Sequence, residues 1–579
     1  MFHTPTPDLG SPRRMLLTAA LVSLIVALVL AALYGPHLAG SLGDTDDAMR
    51  LALVRDLLHG RGWYDQSVAR LQPPFGSVMH WSRLIDGGIA GLALLLRSLL
   101  GARLIWPLLW IAPSVLSALV LTRRLGGGLA VLPAAVLLTV GFPLYAQFAP
   151  GRVDHHNVQI ALCLVTAAGA VQGSVRGAIL AGAAMALGLA VGLESLLFAA
   201  VICAAIGLRP ALTCEGRRAA TAFGLSLAAF SGAVFLIQTP PSRWGLAVCD
   251  AMGANLALGL MVGGLGLAGA AFASRAAGRS TRVSAAAAAG IVSLAAYMGL
   301  DPHCVRGPMA EIDPRLYPIW LGHVQELMAW PELFRHYPDH VVLAAANAAL
   351  GLAALAHGLN DPARRTDFSW LLSGVLFVLA ALMAALAARM ESYLLWLAVP
   401  LLAAALTQLS RKRMHSALVP TMALALAVSA APIDVMAQAL FARQLSAAGA
   451  VNRADHCYDA EAYGRLAALP PGLVLSEIDL GPHILARTPH SILSAPYHRM
   501  SWGILAAQDA LSAAPEAALA KARALHVVYV VACPAHADLF NHVSAPVGSL
   551  LRRLDWDAAP DGLESLSARG EALHIYRVR

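Results

Sequence analysis

The chain has 579 residues, 58% of them hydrophobic and only 13% charged, with a mean hydropathy of +0.65. That balance excludes a water-soluble globular enzyme and indicates a polytopic membrane protein. The formal charge of +7 and pI near 9.2 do not indicate nucleic acid, because the basic residues fall in short loops between apolar runs, where they set orientation across a bilayer.

Residues 1–14 are polar and end in Pro12-Arg13-Arg14, after which an apolar run reaches Tyr34, long enough to span. The run is longer than a signal-peptide core and lacks a small-residue cleavage site, so it reads as an uncleaved anchor with a cytoplasmic N-terminus. Just past the boundary stands Gly43-Asp44-Thr45-Asp46-Asp47-Ala48-Met49-Arg50. Three carboxylates in four positions repel one another and lose hydration unless a cation or hydrogen-bond donors hold them. An acidic loop beside a helix also serves simply as a cap.

The first external loop is expected over residues 38–103, rich in interfacial aromatics such as Trp63, Tyr64 and Trp81. Within it, 85–100 is apolar but holds Asp86 and Arg97, and we read it as an amphipathic helix in the interface. That choice leaves nearly every basic loop cytoplasmic, from Arg123-Arg124 to Arg411-Lys412-Arg413. It predicts about thirteen spans, near 15–37, 104–122, 127–143, 157–173, 178–192, 194–208, 219–237, 256–272, 284–300, 341–357, 369–388, 392–409 and 416–432.

On this map a second polar motif, Arg152-Val153-Asp154-His155-His156, shares the outer side with the Asp cluster. So do Glu194 in a tight turn, the 239–255 and 301–340 loops, and Arg389-Met390-Glu391. The positive-inside rule counts only Lys and Arg, so this gathering of acids and histidines was not built into it. Asp and His at short spacing opposite a second Asp cluster suit Mn²⁺ or Mg²⁺. In the 301–340 loop Asp301, His303, Arg306, Glu311, Asp313, Trp320, His323 and Glu326 are candidates for a lid over that site.

Residues 1–432 thus form an all-α membrane domain and residues 433–579 a second, extracytoplasmic α/β domain. In the latter, 473–475, 491–493 and 526–531 read as buried strands alternating with alanine-rich helix such as 504–525. The seven cysteines show no metal-binding spacing, whereas an oxidising compartment would permit Cys457–Cys533 and Cys249–Cys304 disulfides.

An Asp-rich first external loop, a second acidic motif outside the fourth span, about thirteen helices and an external C-terminal domain resemble the GT-C superfamily of polytopic glycosyltransferases. The closest resemblance is to archaeal and bacterial oligosaccharyltransferase catalytic subunits. There an Asp is followed six residues later by Arg, as Asp44 is by Arg50, and a second Asp by an acidic residue or His two positions on, as Asp154 is by His156. The family's Trp-Trp-Asp-Tyr-Gly acceptor motif has an echo in Glu477-Ile478-Asp479-Leu480-Gly481, without both tryptophans, which argues against asparagine sequons as acceptor.

The resemblance implies a polyprenyl-phosphate-linked sugar donor drawn from membrane lipid, and a divalent metal held by Asp44, Asp46, Asp154 and His156. Asp44, Asp46 and Asp47 are then the catalytic carboxylates, Arg389 and Arg152 donor-phosphate ligands, and Glu194, Asp479, Tyr497 and His498 supporting or acceptor-facing groups. The expected place is a cell inner membrane with periplasmic chemistry. The alternative is a transporter or lipid flippase; Arg389 also suits a helix-end residue snorkelling to headgroups.

Overall fold

The computed structural model describes residues 11–275, 277–310, 312–413, 456–534, 545–555, 559–568 and 570–579. The membrane domain opens with α1 (Pro12–Tyr34), α2 (Thr45–Leu58), the hairpin strands β1 (Ser67–Val68) and β2 (Ser77–Val78), α3 (Arg83–Leu96), α4 (Leu99–Leu109) and α5 (Ile111–Gly126). It continues through α6 (Val131–Val140), α7 (His156–Gln172), α8 (Val175–Val191), α9 (Leu196–Thr213), α10 (Arg217–Gln238), α11 (Ala254–Ala273) and α12 (Arg279–Met298). After the short α13 (Leu316–Ile319) and α14 (Trp330–His336) come α15 (Pro338–Leu359), α16 (Phe368–Leu386) and α17 (Glu391–Arg413).

Among the described residues nine helical segments are long and apolar enough to cross a membrane, ten with a pair bent by 62° at Gly141. The 17-residue α7 and α8 correspond to expected spans but are shorter than these. The expected span at 416–432 lies outside the described residues. The expected interfacial segment is α3, which stops at Arg97 and turns its outer leucines, Leu94 and Leu95, away from the protein.

Glycines set the helix spacing. A Cβ on Gly264 of α11 would stand 2.6 Å from the Gly224 carbonyl oxygen of α10, so these helices cross backbone to backbone. Trp396 of α17 fills the centre of the bundle, edge-on to Tyr145, with its indole N–H donating to the Leu144 carbonyl at 3.0 Å.

The C-terminal domain carries a five-stranded sheet in the order β4-β3-β5-β7-β6, with β3 (Leu473–Ser476), β4 (Ser491–Ile492), β5 (Val527–Ala532), β6 (Leu563–Ser565) and β7 (His574–Val578). β4, β3 and β5 are parallel; β7 is antiparallel to β5 and β6. The helix expected over 504–525 is two, Ser501–Leu511 and Pro515–Ala524, because proline starts helices and breaks their interiors. Cys457–Cys533 and Cys249–Cys304 are both disulfides.

The two domains share a core. Residues 70–72 extend the sheet beyond β4: the Gln72 N–H donates to the Ile492 carbonyl and the Ile492 N–H to the Arg70 carbonyl, at 2.8 and 2.9 Å. Arg70 also donates to the Leu485, Thr488 and His490 carbonyls. Met49, Leu51 and Trp81 pack in one apolar cluster with Val474, Ile484 and Ile492.

Gly264→Val should overpack the α10–α11 crossing and cost about 1–3 kcal/mol. Thermal unfolding of the full-length protein in detergent measures this, and an unchanged midpoint would contradict the close crossing.

Candidate active site

Asp44 starts the site as the N-cap of α2. Its Oδ1 accepts the N–H groups of Asp46 and Asp47 at 3.0 Å, and Oδ2 takes Arg152. This is capping chemistry, which carboxylates favour because they satisfy orphan donors at the positive end of a helix. Burial raises the Asp44 carboxyl, but Arg152 and the Asp47 N–H outweigh it and hold it below its ordinary value.

Asp47 is fully buried and reaches the other segment. Its Oδ1 accepts the Val153 N–H at 2.7 Å and the Asp154 N–H at 3.1 Å, while Oδ2 pairs with Arg152 at 3.0 Å. The two expected acidic motifs therefore meet, more than a hundred residues apart in sequence.

Asp154 is buried, and burial alone would raise its carboxyl; the His155 and His156 rings pull it well below the ordinary carboxylate range. The His155 Nδ1 lies 2.5 Å from Asp154 Oδ1, and Arg50 Nη2 lies 3.7 Å from the same oxygen. Arg50 is itself buried, 2.8 Å from Asp86, and its guanidinium sits 4.4 Å over the Trp81 ring. Arg83 closes this network with a 3.0 Å contact to the other Asp86 oxygen.

The His156 Nδ1 lies 3.0 Å from Glu194 Oε1, and its Nε2 lies 3.0 Å from Asp154 Oδ2 and 3.8 Å from Glu326. Glu194 is also within reach of Arg389 at 3.4 Å and Tyr393 at 3.3 Å. Burial raises the Glu194 carboxyl, but His156 and then Arg389 bring it down to about 2. At Asp46 compensation falls short: burial, then Asp154, Asp44 and Glu326, outweigh His156 and push its carboxyl well above the ordinary range.

These groups fit a divalent cation. Asp154 Oδ2 is buried with no hydrogen-bond partner although His156 Nε2 is close by, so the two atoms face a common point as paired ligands do. Glu194 on the opposite ring nitrogen is the carboxylate–histidine arrangement that turns Nε2 toward a metal. A cation also answers the unbalanced charge at Asp46. Among the described residues the ligand atoms of Asp154, His155 and His156 all lie within 4.8 Å of one another; Asp44 and Asp46 are not part of that group.

No protein-family model matches the chain, and no curated protein matches it. Solved structures do. An Archaeoglobus fulgidus oligosaccharyltransferase tethered to an acceptor peptide superposes with a TM-score of 0.65 at 15% identity, covering 94% of this chain and 72% of that one. The same organism's oligosaccharyltransferase AglB, with an inhibitory peptide and a dolichol-phosphate, gives 0.63 at 14% identity over 97% and 74%. A complex of the A. fulgidus enzyme with Zn and sulfate gives 0.60 at 16% over 93% and 70%. The chain has the GT-C fold.

Within this GT-C frame the other expected residues separate into two groups. Tyr497 joins the site: its hydroxyl donates to the Thr45 carbonyl at 3.2 Å, and burial followed by Asp46 and Asp44 pushes the phenol up. Arg152 is spread over Asp44, Asp47 and Gln147. His498 turns aside to Asp250, 2.6 Å away, which Arg499 also grips with two nitrogens. Asp479 is half-buried beside Glu477, its carboxyl pushed up to about 6 by burial and then that neighbour; no hydrogen bond or ion pair joins it to the acidic cluster. Glu326 is the residue the sequence named without ranking, since a long loop has no periodicity to show which acid points inward.

Burial raises the Asp250 carboxyl, yet hydrogen bonds from His498 and Arg499 carry it far below its unfolded value. Stability from a depressed carboxylate is present in full above the ordinary pKa near 3.9 and is lost progressively as pH falls from there toward the much lower folded value. Asp250→Asn should therefore lower the melting temperature at pH 7, with the gap from wild type closing below about pH 4. A gap that persists unchanged at pH 3 would contradict this assignment.

Proposed function

We propose that the protein is a glycosyltransferase that moves a sugar or oligosaccharide from a polyprenyl-phosphate-linked donor to an acceptor at the periplasmic face of an inner membrane. The observation that carries this reading is the junction of Asp46, Asp154 and His156 at one end of the helix bundle, backed by Glu194 and Arg389. The buried ionised groups of the membrane domain gather around this junction and the first external loop, which supports transfer at a surface over transport through a midplane. The dolichol-phosphate in the neighbouring AglB structure supports the donor class.

Asp154 and His156, with Asp46, would hold a Mn²⁺ or Mg²⁺ ion, which when bound offsets the negative charge that builds on a departing phosphate. Arg389 makes a single long contact to Glu194 and remains a quarter exposed, so its remaining N–H groups can take a donor phosphate bidentately. Burial and its acidic neighbours raise the Asp46 carboxyl, and a bound cation would keep it ionised as a ligand. Asp44 and Asp47 support the transfer from behind, by fixing α2 and the 152–154 backbone. Arg152 holds the Asp44 carboxyl low and pairs with Asp47, whose carboxyl burial pushes up, and a phosphate would have to compete with both for it.

Asp154→Asn should reduce transfer to background while leaving expression and membrane insertion intact, and Glu194→Gln should weaken metal affinity about 10- to 100-fold. Chelation followed by Mn²⁺ titration of the purified full-length protein reads the second effect. Transfer unaffected by chelation and by Asp154→Asn would sink the mechanism. Reporter fusions after residues 125 and 210 should be cytoplasmic; either one outside would reverse the orientation.

A further inference from the structure

A second cavity, of about 420 Å³, opens between the first external loop and the C-terminal domain, lined in part by Phe75, Ser77, Val78 and Arg499. At its rim the Phe75 and Trp502 rings stand edge to face, 4.8 Å apart, and are 69% and 40% exposed. From there two segments run side by side toward the acidic site. Arg499 donates to the Val78 carbonyl at 2.9 Å, the His80 and His498 rings are 4.5 Å apart, and the Trp81 and Tyr497 rings 5.3 Å apart. Tyr497 and Trp81 end the seam against Thr45 and Arg50, beside the carboxylates.

The geometry points to this cavity as the acceptor subsite, and to a saccharide as its occupant; this rests on the glycosyltransferase reading above. An exposed aromatic face is electron-rich and suits the C–H face of a sugar ring, with hydroxyls left for polar groups at the wall. One such group is Ser67, exposed on the cavity wall, whose Oγ donates to Asp65 Oδ1 and still has lone pairs to accept from a sugar hydroxyl. The charges nearby are already matched, since Arg499 is held by Asp250, so the site favours a neutral polyhydroxyl ligand over an ion. An extended peptide would need free backbone groups along the hairpin. The Val68 and Val78 carbonyls are already taken, by the Leu71 N–H and Arg499.

In the transfer itself an acceptor hydroxyl oxygen bonds to the anomeric carbon of the donor as the bond from that carbon to the phosphate oxygen breaks. The electron pair leaves with the lipid phosphate, and the hydroxyl proton is released to water. Trp81 and Tyr497 are packed shut along the seam, so the cavity would hold the acceptor's outer sugars, along Phe75 and Trp502.

The test uses full-length protein in nanodiscs, with donor lipid and acceptor fractions extracted from a deletion strain and the product linkage read by mass spectrometry. Phe75→Ala with Trp502→Ala should raise the acceptor KM at least tenfold, with donor KM and kcat within about twofold. Phe75→Tyr with Trp502→Phe should restore it, and Ser67→Ala should raise acceptor KM severalfold. A product linked to a peptide side chain, or an acceptor KM unmoved by the double alanine variant, would overturn the proposal while leaving transferase activity standing. No transfer by wild type from any fraction would remove the glycosyltransferase reading, and this inference with it.

Discussion

The Asp47 carboxylate is the joint on which the arrangement depends. It accepts two backbone N–H groups from the segment before α7 and pairs with Arg152, so the start of α2 and the start of α7 are fixed to one another through a fully buried polar group. Such a group is tolerable only when hydrogen-bonded, and losing one partner would leave the others stranded. The geometry of Asp46 opposite Asp154 follows from that constraint. Neither residue needs to be held by the other, which leaves both for chemistry.

The same logic extends outward through Arg50, Asp86 and Arg83, all buried. This network ties α2 to α3, and Arg70 ties the loop between them to the sheet of the C-terminal domain. The C-terminal domain is therefore continuous with the acidic end of the bundle, sharing an apolar core and extending its sheet with residues 70–72. It brings Tyr497 to the acidic cluster and places the 497–502 segment against the first loop.

Much of this was legible in the sequence because charge in an apolar chain is expensive. Asp44 to Asp47 and Asp154 to His156 stood out at the ends of hydrophobic runs, and the basic loops placed them on one side; the structure joins them. The strands at 473–475, 491–493 and 526–531 were visible as short apolar runs, and β3, β4 and β5 lie there. What did not show was the division of labour within the cluster. Whether an acid caps a helix, as Asp44 does, welds two segments, as Asp47 does, or faces a cation is decided by contacts a hundred residues away. The parallel pairing of Leu71 with Ile492 has no local pattern either, and only Pro515 could have revealed the break in the helix expected over 504–525.

The outer row of α3 has a consequence for how substrate arrives. Leu94 and Leu95 point away from the protein at 69% and 80% exposure, on a helix whose other face packs beneath the carboxylates. Leucines so placed are covered by acyl chains in preference to water. With that row in the acyl layer, α3 would moor the acidic end of the bundle to the leaflet, and on the proposed glycosyltransferase reading a lipid carrier would slide in sideways without its tail crossing an aqueous gap.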